Sequence, residues 1–480
     1  MIWQEGSRCA RISGINMRLV QALRYPPSPR LALVGAGGKT SALFQLAREL
    51  LETPSEPYQK NAVLVTATTH LATNQILLAD HHFSIHTPEE FERLEIQLPS
   101  GVILITGTPA GEDRVSGLNL ATIDRVCELA ERQRLPLLIK SDGSQLRPIK
   151  APAAHEPVIP QSVDTVLVTA GLSALGKPLN PEWVQRPELV ARITGLSPGD
   201  TITQDAFEAL MTSPAGGLKD IPESARRIAL LNQADSPQLQ TSANHIAKNI
   251  LTSYNAIIIS TLGPQIETRI KRSKIQTTSP EEEVYAVHEP VAGIVLAAGG
   301  STRMAQPKQI MNFRSQPLVR IAAHTALDAD LAPVIVVTGA FDDQVKAALE
   351  GLPITIVHNP DWHSGQSTSV AAGINAAPTR TGSAIFLLAD QPLVSEPMIR
   401  KLVELHTQTL SPIVAPSING RRSNPVLFDR VTFSDLLDLS GDIGGRALFS
   451  KYQVSWLPWM DATSAIDIDT PDDYQRLLDI

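Results

Sequence analysis

Cysteine is almost absent, since the 480 residues contain only Cys9 and Cys127. Two thiols cannot build a disulfide framework or a thiolate metal cage, so the sequence predicts a reducing compartment, the cytoplasm. Apolar runs long enough to cross a membrane are also lacking, because polar residues, glycine or proline interrupt each of them. The opening segment has arginines but no uninterrupted apolar stretch, so we expect neither a signal peptide nor a membrane partner.

An excess of positive charge is lacking as well. Lysine and arginine total 41 against 49 aspartates and glutamates, which gives a net charge of −8. A chain with this balance has no basic field to hold a polyanion, so we expect no nucleic-acid partner. Aromatic residues make up 4% of the chain, charged residues 19% and hydrophobic residues 43%. This profile is typical of α/β enzymes, which points to small-molecule substrates.

Short apolar segments of β type alternate with helical stretches, which predicts mostly parallel sheets covered by helices on both faces. A charged stretch without an apolar period interrupts this alternation between about 270 and 290. The apolar pattern begins only near Leu19, so Met1 and Met17 are alternative starts. We predict an α/β fold with two domains: an N-terminal extension (1–28), a first domain (29–268), a linker (269–290) and a second domain (291–480).

A glycine-rich segment follows the first predicted strand. Leu31 to Val34 is apolar, and it is followed by Gly35, Gly37, Gly38, Lys39 and Thr40 at the start of a helical stretch. Glycines let backbone N–H groups approach a phosphate, Lys39 supplies positive charge, and the Thr40 hydroxyl is suited to bind Mg²⁺. The pattern predicts a P-loop-like nucleotide site, although Leu33 stands where the usual pattern has its first glycine. ATP and GTP are both candidates.

Three other polar positions fit such a site in the first domain. Asp142 follows an apolar strand, where a carboxylate can bind the water shell of Mg²⁺. Asn232 and Asp235 have a spacing that resembles guanine-reading loops, although both residue types also simply make turns. Elsewhere, His82 and His86 are four residues apart and could bind zinc from one helix face, but a polar loop explains them more simply.

A second glycine-containing segment lies in the second domain. It contains the residues Leu296, Ala297, Ala298, Gly299, Gly300, Ser301, Arg303 and Lys308. The glycines can admit a triphosphate against backbone N–H groups, and Arg303 and Lys308 provide the two cations that absorb charge developing on the phosphates. The pattern predicts a nucleotide-binding loop with Arg303 and Lys308 as catalytic residues.

Carboxylates follow later in the same domain. Asp390 comes after an apolar strand, and Asp467 and Asp469 lie near the end of the chain. Oxygen ligands of this kind suit a Mg²⁺ ion bound to the α-phosphate of a nucleotide. We therefore predict that Asp390 is catalytic and binds the metal together with Asp467 or Asp469.

The first domain resembles the YqeC family through VGAGGKT, TATTH, SDGSQLRPIKAP, HEPVIP, GLSALGKPL, QRPELV and AGGLKDIP, in that order. This family is an accessory group of selenium-dependent molybdenum hydroxylases, so the resemblance implies a role in their maturation, with a hydroxylase apoenzyme as a partner. Lys140 departs from the family pattern, in which an acidic residue commonly precedes the Asp-Gly pair.

The second domain resembles the MobA/MocA-type nucleotidyltransferases through LAAGGSTRM, PKQ, NPDWHSGQSTSV, ADQP, RSNPVLF, GDIGGRAL and DIDTPDDY, and most closely the molybdenum cofactor cytidylyltransferases. The resemblance implies a Rossmann-like (GT-A-like) domain in which the phosphate of molybdopterin attacks the α-phosphorus of CTP and pyrophosphate leaves. Ala298 is the residue that goes with CTP in this family. The resemblance also implies acceptor-side candidates at Asn424, Pro425, Gly441 and Asp442. Gly365, Ser367, Thr368 and Ser369 could line the same pocket, although a helix N-cap turn explains them equally well. A transferase with another phosphate acceptor and a nucleotide-switched carrier of finished cofactor are the alternatives.

Overall fold

The computed structural model describes residues 17–24, 28–52, 61–262, 284–304 and 306–480. Their contacts divide the chain into one unit that ends at His288 and a second that begins at Glu289. In the described parts of the chain, no helix is both long enough and apolar enough to span a bilayer.

The first unit is built on a nine-stranded sheet with the order β13-β12-β11-β9-β1-β7-β2-β5-β4. Every neighbouring pair is parallel except β12 and β13, which are antiparallel. The strands of this sheet are β1 (Arg30–Gly35), β2 (Ala62–Ala67), β4 (His81–Ser84), β5 (Gly101–Thr106), β7 (Leu137–Lys140), β9 (Thr165–Gly171), β11 (Arg226–Asn232), β12 (Ala256–Ser260) and β13 (Val284–His288).

Helices and two small ribbons complete the first unit. The helices are α1 (Leu19–Leu23), α2 (Lys39–Glu52), α3 (Pro88–Ile96), α4 (Leu120–Gln133), α5 (Pro187–Thr194), α6 (Gln204–Thr212) and α7 (Pro237–Ile250). The ribbons pair β3 (Leu71–Ala72) with β6 (Arg114–Val115) and β8 (Ile149–Lys150) with β10 (Val184–Gln185). Side-chain caps from Asn119 and Ser236 satisfy orphan N–H groups at the starts of α4 and α7.

Central strands of the first sheet are buried on both faces. Leu31 to Val34 of β1 and all residues of β2 and β7 are buried, as expected for parallel strands between two helical layers. Strand β1 lies at the middle of the sheet, with β7, β2, β5 and β4 on one side and the later strands on the other. The strand order therefore reverses at β1, and the crevice beyond its carboxyl end is where open α/β sheets bind ligands.

The second unit has an eight-stranded sheet with the order β18-β17-β14-β19-β22-β20-β21, in which β23 also pairs with β20. Strand β14 is parallel to its neighbours β17 and β19, whereas β22 is antiparallel to β19 and β20. The strands are β14 (Val291–Ala297), β17 (Val334–Thr338), β18 (Thr355–His358), β19 (Ser383–Leu388), β20 (Ile413–Ile418), β21 (Arg421–Arg422), β22 (Val426–Asp429) and β23 (Val454–Trp459).

The remaining elements of the second unit are a ribbon of β15 (Asn312–Phe313) with β16 (Gln316–Pro317) and six helices. These helices are α8 (Leu318–Asp328), α9 (Asp342–Ala348), α10 (Gln366–Ala376), α11 (Glu396–Thr409), α12 (Phe433–Leu437) and α13 (Pro471–Leu478). Apolar clusters fill both sides of the sheet. The α/β prediction is confirmed for both units.

Three predictions from the sequence need correction. The predicted linker 269–290 contains strand β13, which is added to the edge of the first sheet; residues 269–283 lie outside the described residues. The predicted extension 1–28 contains α1, whose Leu19 and Leu23 are buried against the first unit. His82 lies on the edge strand β4 rather than on a helix or in a loop.

Candidate functional sites

The glycine segment of the first unit lies at the carboxyl end of β1 and leads into α2. Gly35 and Gly38 have φ angles of +93° and +127°, which side chains other than glycine rarely adopt. A Cβ atom on Gly35 would lie 2.2 Å from the Thr169 carbonyl oxygen, and one on Gly38 would lie 2.3 Å from Asn232 Nδ2. The loop therefore needs glycine both for its backbone conformation and for its packing.

Part of this loop is hydrogen-bonded within the protein. The N–H of Gly35 donates to Asp142 Oδ2 (3.0 Å), that of Ala36 to the Thr169 carbonyl (2.8 Å) and that of Gly37 to the Arg147 carbonyl (3.1 Å). The N–H groups at the start of α2, from Gly38 on, point away from the helix as at every α-helix N-terminus. An anion bound here would thus contact the first turn of α2 rather than the glycines before it.

Lys39 and Asp142 are at the centre of a buried charge network. Lys39 Nζ lies 3.1 Å from Asp142 Oδ1 and also donates to the Gly35 carbonyl. Lys150 Nζ lies 2.8 Å from Asp142 Oδ2 and 2.8 Å from Glu156 Oε2, and Arg186 binds the same Glu156 oxygen at 2.9 Å. The predicted site residues Lys39 and Asp142 therefore contact each other directly. Lys150 and Glu156 extend the network and could have been noticed, since SDGSQLRPIKAP and HEPVIP contain them.

Burial perturbs two lysines of this site. It lowers the pKa of the Lys39 ammonium below its usual value, against the opposing charge of Asp142. Burial, with a smaller contribution from the positive charge of Lys39, lowers the pKa of Lys140 to about 8. Both shifts reflect the cost of holding a cation away from water.

Unsatisfied oxygen atoms lie at the same edge of the sheet. Thr68 Oγ1, Gln75 Oε1 and Ser141 Oγ are buried and have no hydrogen-bond partner in the described residues. Gln75 Nε2 reaches Thr40 Oγ1 at 3.5 Å, so this group adjoins the first turn of α2. Buried polar atoms normally have partners, and orphans gathered at one place mark a site that a ligand or water completes.

The side chain of Asn232 stabilises the glycine segment that follows β1. Its Nδ2 donates to the carbonyls of Gly37 (2.8 Å) and Leu262 (2.9 Å), and its Oδ1 accepts from Ser260 Oγ. The side chain is fully buried, whereas Asp235 is exposed. The pair does not form a surface that could read a base, because both amide hydrogens of Asn232 are already used.

The predicted histidine pair does not form a metal site. His82 Nε2 pairs with Thr106 Oγ1 at 2.8 Å, and His86 Nε2 with Ser84 Oγ at 3.0 Å. In the described parts of the chain, no three His, Cys, Asp or Glu side chains are grouped to hold a metal ion.

The loop of the second unit follows β14 and is held by Gln309, which the sequence analysis missed. Gln309 is buried, and its Nε2 donates to the carbonyls of Gly299 (2.6 Å) and Ala297 (3.3 Å). Ser301 Oγ donates to Gln309 Oε1 and accepts from the Lys308 N–H. The predicted loop is therefore ordered by its own side chains, with Ala298 buried and Arg303 exposed to solvent.

Lys308 joins two of the predicted carboxylates. Its Nζ is ion-paired with Asp390 and lies 3.0 Å from Asp469 Oδ1, and Arg303 lies 3.8 Å from Asp469 Oδ2. Burial alone would lower the pKa of Lys308, but the Asp390 and Asp469 charges outweigh it and raise that pKa. Residues that are 161 positions apart in the sequence thus meet at the carboxyl ends of β14 and β19.

Asp467 is held beside this group by Gln391, whose Nε2 donates to Asp467 Oδ1 at 2.5 Å. Desolvation and the negative charge of Asp390, followed by that of Asp469, raise the pKa of Asp467. Carboxylates that repel one another favour a bound cation. Within the described residues these three carboxylates do not form a metal site by themselves. Mg²⁺ is commonly held by only one or two carboxylates, with phosphate oxygens and water as the other ligands, so two of them fit such an ion once a nucleotide is bound.

A cavity of about 330 Å³ opens beside the same strand ends. Part of its wall is formed by Leu296, the first residue of the glycine-containing segment, and by Leu388, two residues before Asp390. The rings of Phe386, Phe428 and Phe449 also line it. The polar and charged residues that line it are Gln366, Arg422, Asn424, Asp442 and Arg446. The Arg422 guanidinium lies 4.8 Å from the centre of the Phe449 ring. Apolar rings with two arginines suit a planar ligand that carries negative charge.

Two family models match the chain in separate regions. The YqeC protein model matches residues 31–188, and the model of the MobA-like NTP transferase domain matches residues 293–455. The protein described as "Uncharacterized protein YqeC" of Escherichia coli (strain K12) is 34% identical over 209 residues, which cover 42% of this chain and 75% of that protein. The chain belongs to the YqeC family. Its second unit is a MobA-like nucleotidyltransferase domain, so the chain is a two-domain fusion and an enzyme.

Relatives of the nucleotidyltransferase unit carry different names. The nicotine blue oxidoreductase of Paenarthrobacter nicotinovorans is 31% identical over 198 residues, covering 39% of this chain and 96% of that protein. The molybdenum cofactor cytidylyltransferase of Escherichia coli (strain K12) is 26% identical over 182 residues, covering 38% of this chain and 92% of that protein.

Glycine is required at position 35 of the YqeC unit, and Gly35→Ala tests this against Gly111→Ala. The two residues have nearly equal φ angles of +93° and +94°, but a Cβ on Gly111 would meet no atom within 4 Å. We expect Gly111→Ala to lower the free energy of unfolding by about 1–2 kcal/mol, the cost of a left-handed residue. Gly35→Ala should cost clearly more, at least about 3 kcal/mol in total, because overpacking adds to that strain. Denaturant unfolding measures both, and equal losses would contradict the packing argument.

Proposed function

We propose that the nucleotidyltransferase unit is a molybdenum cofactor cytidylyltransferase, which joins CTP to a molybdopterin-type cofactor and releases pyrophosphate. The observation that carries the proposal is Lys308 bound to Asp390 and Asp469 after β14 and β19, the two strands whose Leu296 and Leu388 also line a 330 Å³ cavity. A cation for the triphosphate, carboxylates for its metal and room for an acceptor are thereby adjacent. The similarity to a molybdenum cofactor cytidylyltransferase and the residue Ala298 in the loop favour CTP and this acceptor.

The proposed roles follow from charge and position. The loop from Leu296 to Ser301 receives the triphosphate against its backbone, and Lys308 and the exposed Arg303 neutralise charge that develops on the leaving pyrophosphate. Asp390, with Asp467 or Asp469, would hold Mg²⁺, which orients the α-phosphate and withdraws charge from it. No protein base is needed, because a phosphate monoester is already an anionic nucleophile near neutral pH.

The cavity of the second unit is the proposed binding site of the acceptor. A pterin is planar and apolar on its faces, which suits the three phenylalanine rings, and its phosphate is an anion that the Arg422 and Arg446 guanidinium groups can bind. Asn424 and Gln366 offer amide groups for the polar edge of the ring. This arrangement supports a molybdopterin acceptor over an acceptor without an aromatic ring, such as a sugar phosphate.

For the YqeC unit, we infer a nucleoside triphosphate site at the carboxyl end of β1, with ATP and GTP as alternatives. The glycine loop, Lys39, Thr40 and Asp142 support it by their position. Together the two units fit the maturation of molybdenum hydroxylases, whose apoenzyme would be the recipient of the finished cofactor.

Asp390→Asn is the first test of the transferase proposal. We expect pyrophosphate release with CTP, Mg²⁺ and molybdenum cofactor to fall at least about 100-fold, because the variant loses the charge that orients metal and Lys308. Asp472→Asn, at an exposed first-turn position of α13, is the control and should keep full activity. Unchanged release in Asp390→Asn would contradict the role of Asp390. Cofactor binding without release in the unaltered chain, with CTP, GTP or ATP, would favour a carrier.

Arg422→Ala tests the acceptor cavity, and its neighbour Arg421→Ala is a matched control because Arg421 does not line that cavity. We expect the KM for the molybdenum cofactor to rise about 10-fold to 100-fold, since one charge-assisted hydrogen bond is worth roughly 1.5–3 kcal/mol. The KM for CTP should stay the same in both variants. An equal rise in both KM values, or the same effect in Arg421→Ala, would contradict this position for the acceptor.

A further inference from the structure

The charge network of the YqeC unit contains more cations than anions. Four positively charged side chains meet only two carboxylates there: Lys39, Lys140, Lys150 and Arg186 against Asp142 and Glu156. Isolated buried charge is costly, and a surplus of two positive charges persists in a fold only where something offsets it. An anionic ligand would do so.

Lys140 points toward the side of the sheet that α2 covers. Leu137 and Ile139 of the same strand belong to the core cluster that also contains Val126 and Ile123 of α4. Side chains alternate along a strand, so Lys140 faces the opposite side, where α2 packs against β7, β1 and β2. The first residue of that helix is Lys39, whose charge acts on Lys140.

The ammonium group of Lys140 has no partner of its own. Its residue is 8% exposed, and no hydrogen bond or ion pair to it is found within the described residues. The next residue, Ser141, is 1% exposed and its Oγ is likewise without a hydrogen-bond partner there. Buried polar groups of native proteins are almost always satisfied, so the orphaned Ser141 hydroxyl, next to a largely buried lysine that contacts no partner in the described part of the chain, points to a bound group.

We propose that Lys140 is the second phosphate-binding cation of the YqeC unit and that, with Lys39 and the first turn of α2, it binds the phosphate chain of a nucleoside diphosphate or triphosphate. This proposal rests on the nucleotide site inferred above and names the residue that gives the site its charge. The helix N-terminus provides N–H donors and partial positive charge. Lys39 is paired with Asp142, so among the described residues Lys140 is the cation of this group that contacts no carboxylate and is free to add its charge to the attraction for phosphate.

Lys150 has a different role from Lys140. Both of its carboxylate contacts, to Asp142 and Glu156, are internal, and it also donates to the Gly143 carbonyl at 2.7 Å. Its three donors are therefore engaged, whereas those of Lys140 are free for a ligand. Lys150 positions Asp142, and Lys140 is the cation that can contact phosphate.

The test uses the full chain carrying Lys308→Met, which weakens nucleotide binding by the other unit, and measures ATP and GTP affinity by calorimetry with and without Mg²⁺. In this background, Lys140→Met should weaken binding at least about 10-fold, while Lys140→Arg should stay within about 3-fold. Lys248→Met, at an exposed position of α7, is the control and should leave the affinity unchanged.

Thermal unfolding separates a binding role from a structural one. Lys140→Met removes an uncompensated buried charge, so the ligand-free chain should melt at the same or a higher temperature, while the increase in Tm caused by nucleotide becomes smaller. A lower Tm without ligand and an unchanged nucleotide affinity would overturn the proposal. Absence of ATP and GTP binding in the Lys308→Met background itself would overturn the nucleotide site as well, whereas binding that Lys140→Met leaves intact would overturn only the role of Lys140.

Discussion

In each unit, a lysine that follows the first strand of the parallel sheet is ion-paired with an aspartate that follows a neighbouring strand. The pairs are Lys39 with Asp142 and Lys308 with Asp390. The carboxyl ends of neighbouring parallel strands lie at the same edge of a sheet. The segment after β1 is therefore close to the segment after β7, and the segment after β14 is close to the one after β19. Glycine loops, orphaned oxygens and the cavity of the second unit all lie at these edges, because the strand ends bring them there.

The two pairs differ in what surrounds them, and this decides their chemistry. Lys39 and Asp142 are fully buried among further cations, so the local charge is positive and an anion is the missing component. Lys308 and Asp390 are partly open and lie beside Asp467 and Asp469, so the local charge is negative until a cation binds. The first arrangement therefore favours direct phosphate binding, and the second favours phosphate that arrives with a divalent metal.

The strands of both sheets were predictable because their apolar segments are buried on two faces and bounded by glycine or polar residues. Two less regular strands were not predicted. Strand β13 follows a charged stretch and the edge strand β4 carries exposed histidines, so neither shows an apolar period.

In the two sites, the glycines and the aspartates at strand ends could be identified from the sequence. The roles of Gln309, Asn232 and Lys150 could not, because each bonds to backbone or side chains from distant segments, and only the folded chain shows those distances.

Sequence similarity alone does not establish the reaction, since relatives of this chain include proteins named as an oxidoreductase and as a cytidylyltransferase. The reaction depends on particular side chains that the fold itself does not require. Lys308 and Asp390 are charged and largely buried beside the half-exposed Asp469 at the ends of two strands. Keeping two carboxylates and an ammonium group partly away from water costs free energy, and that cost is justified only by a ligand that carries charge of its own. A polyphosphate with its metal satisfies this condition.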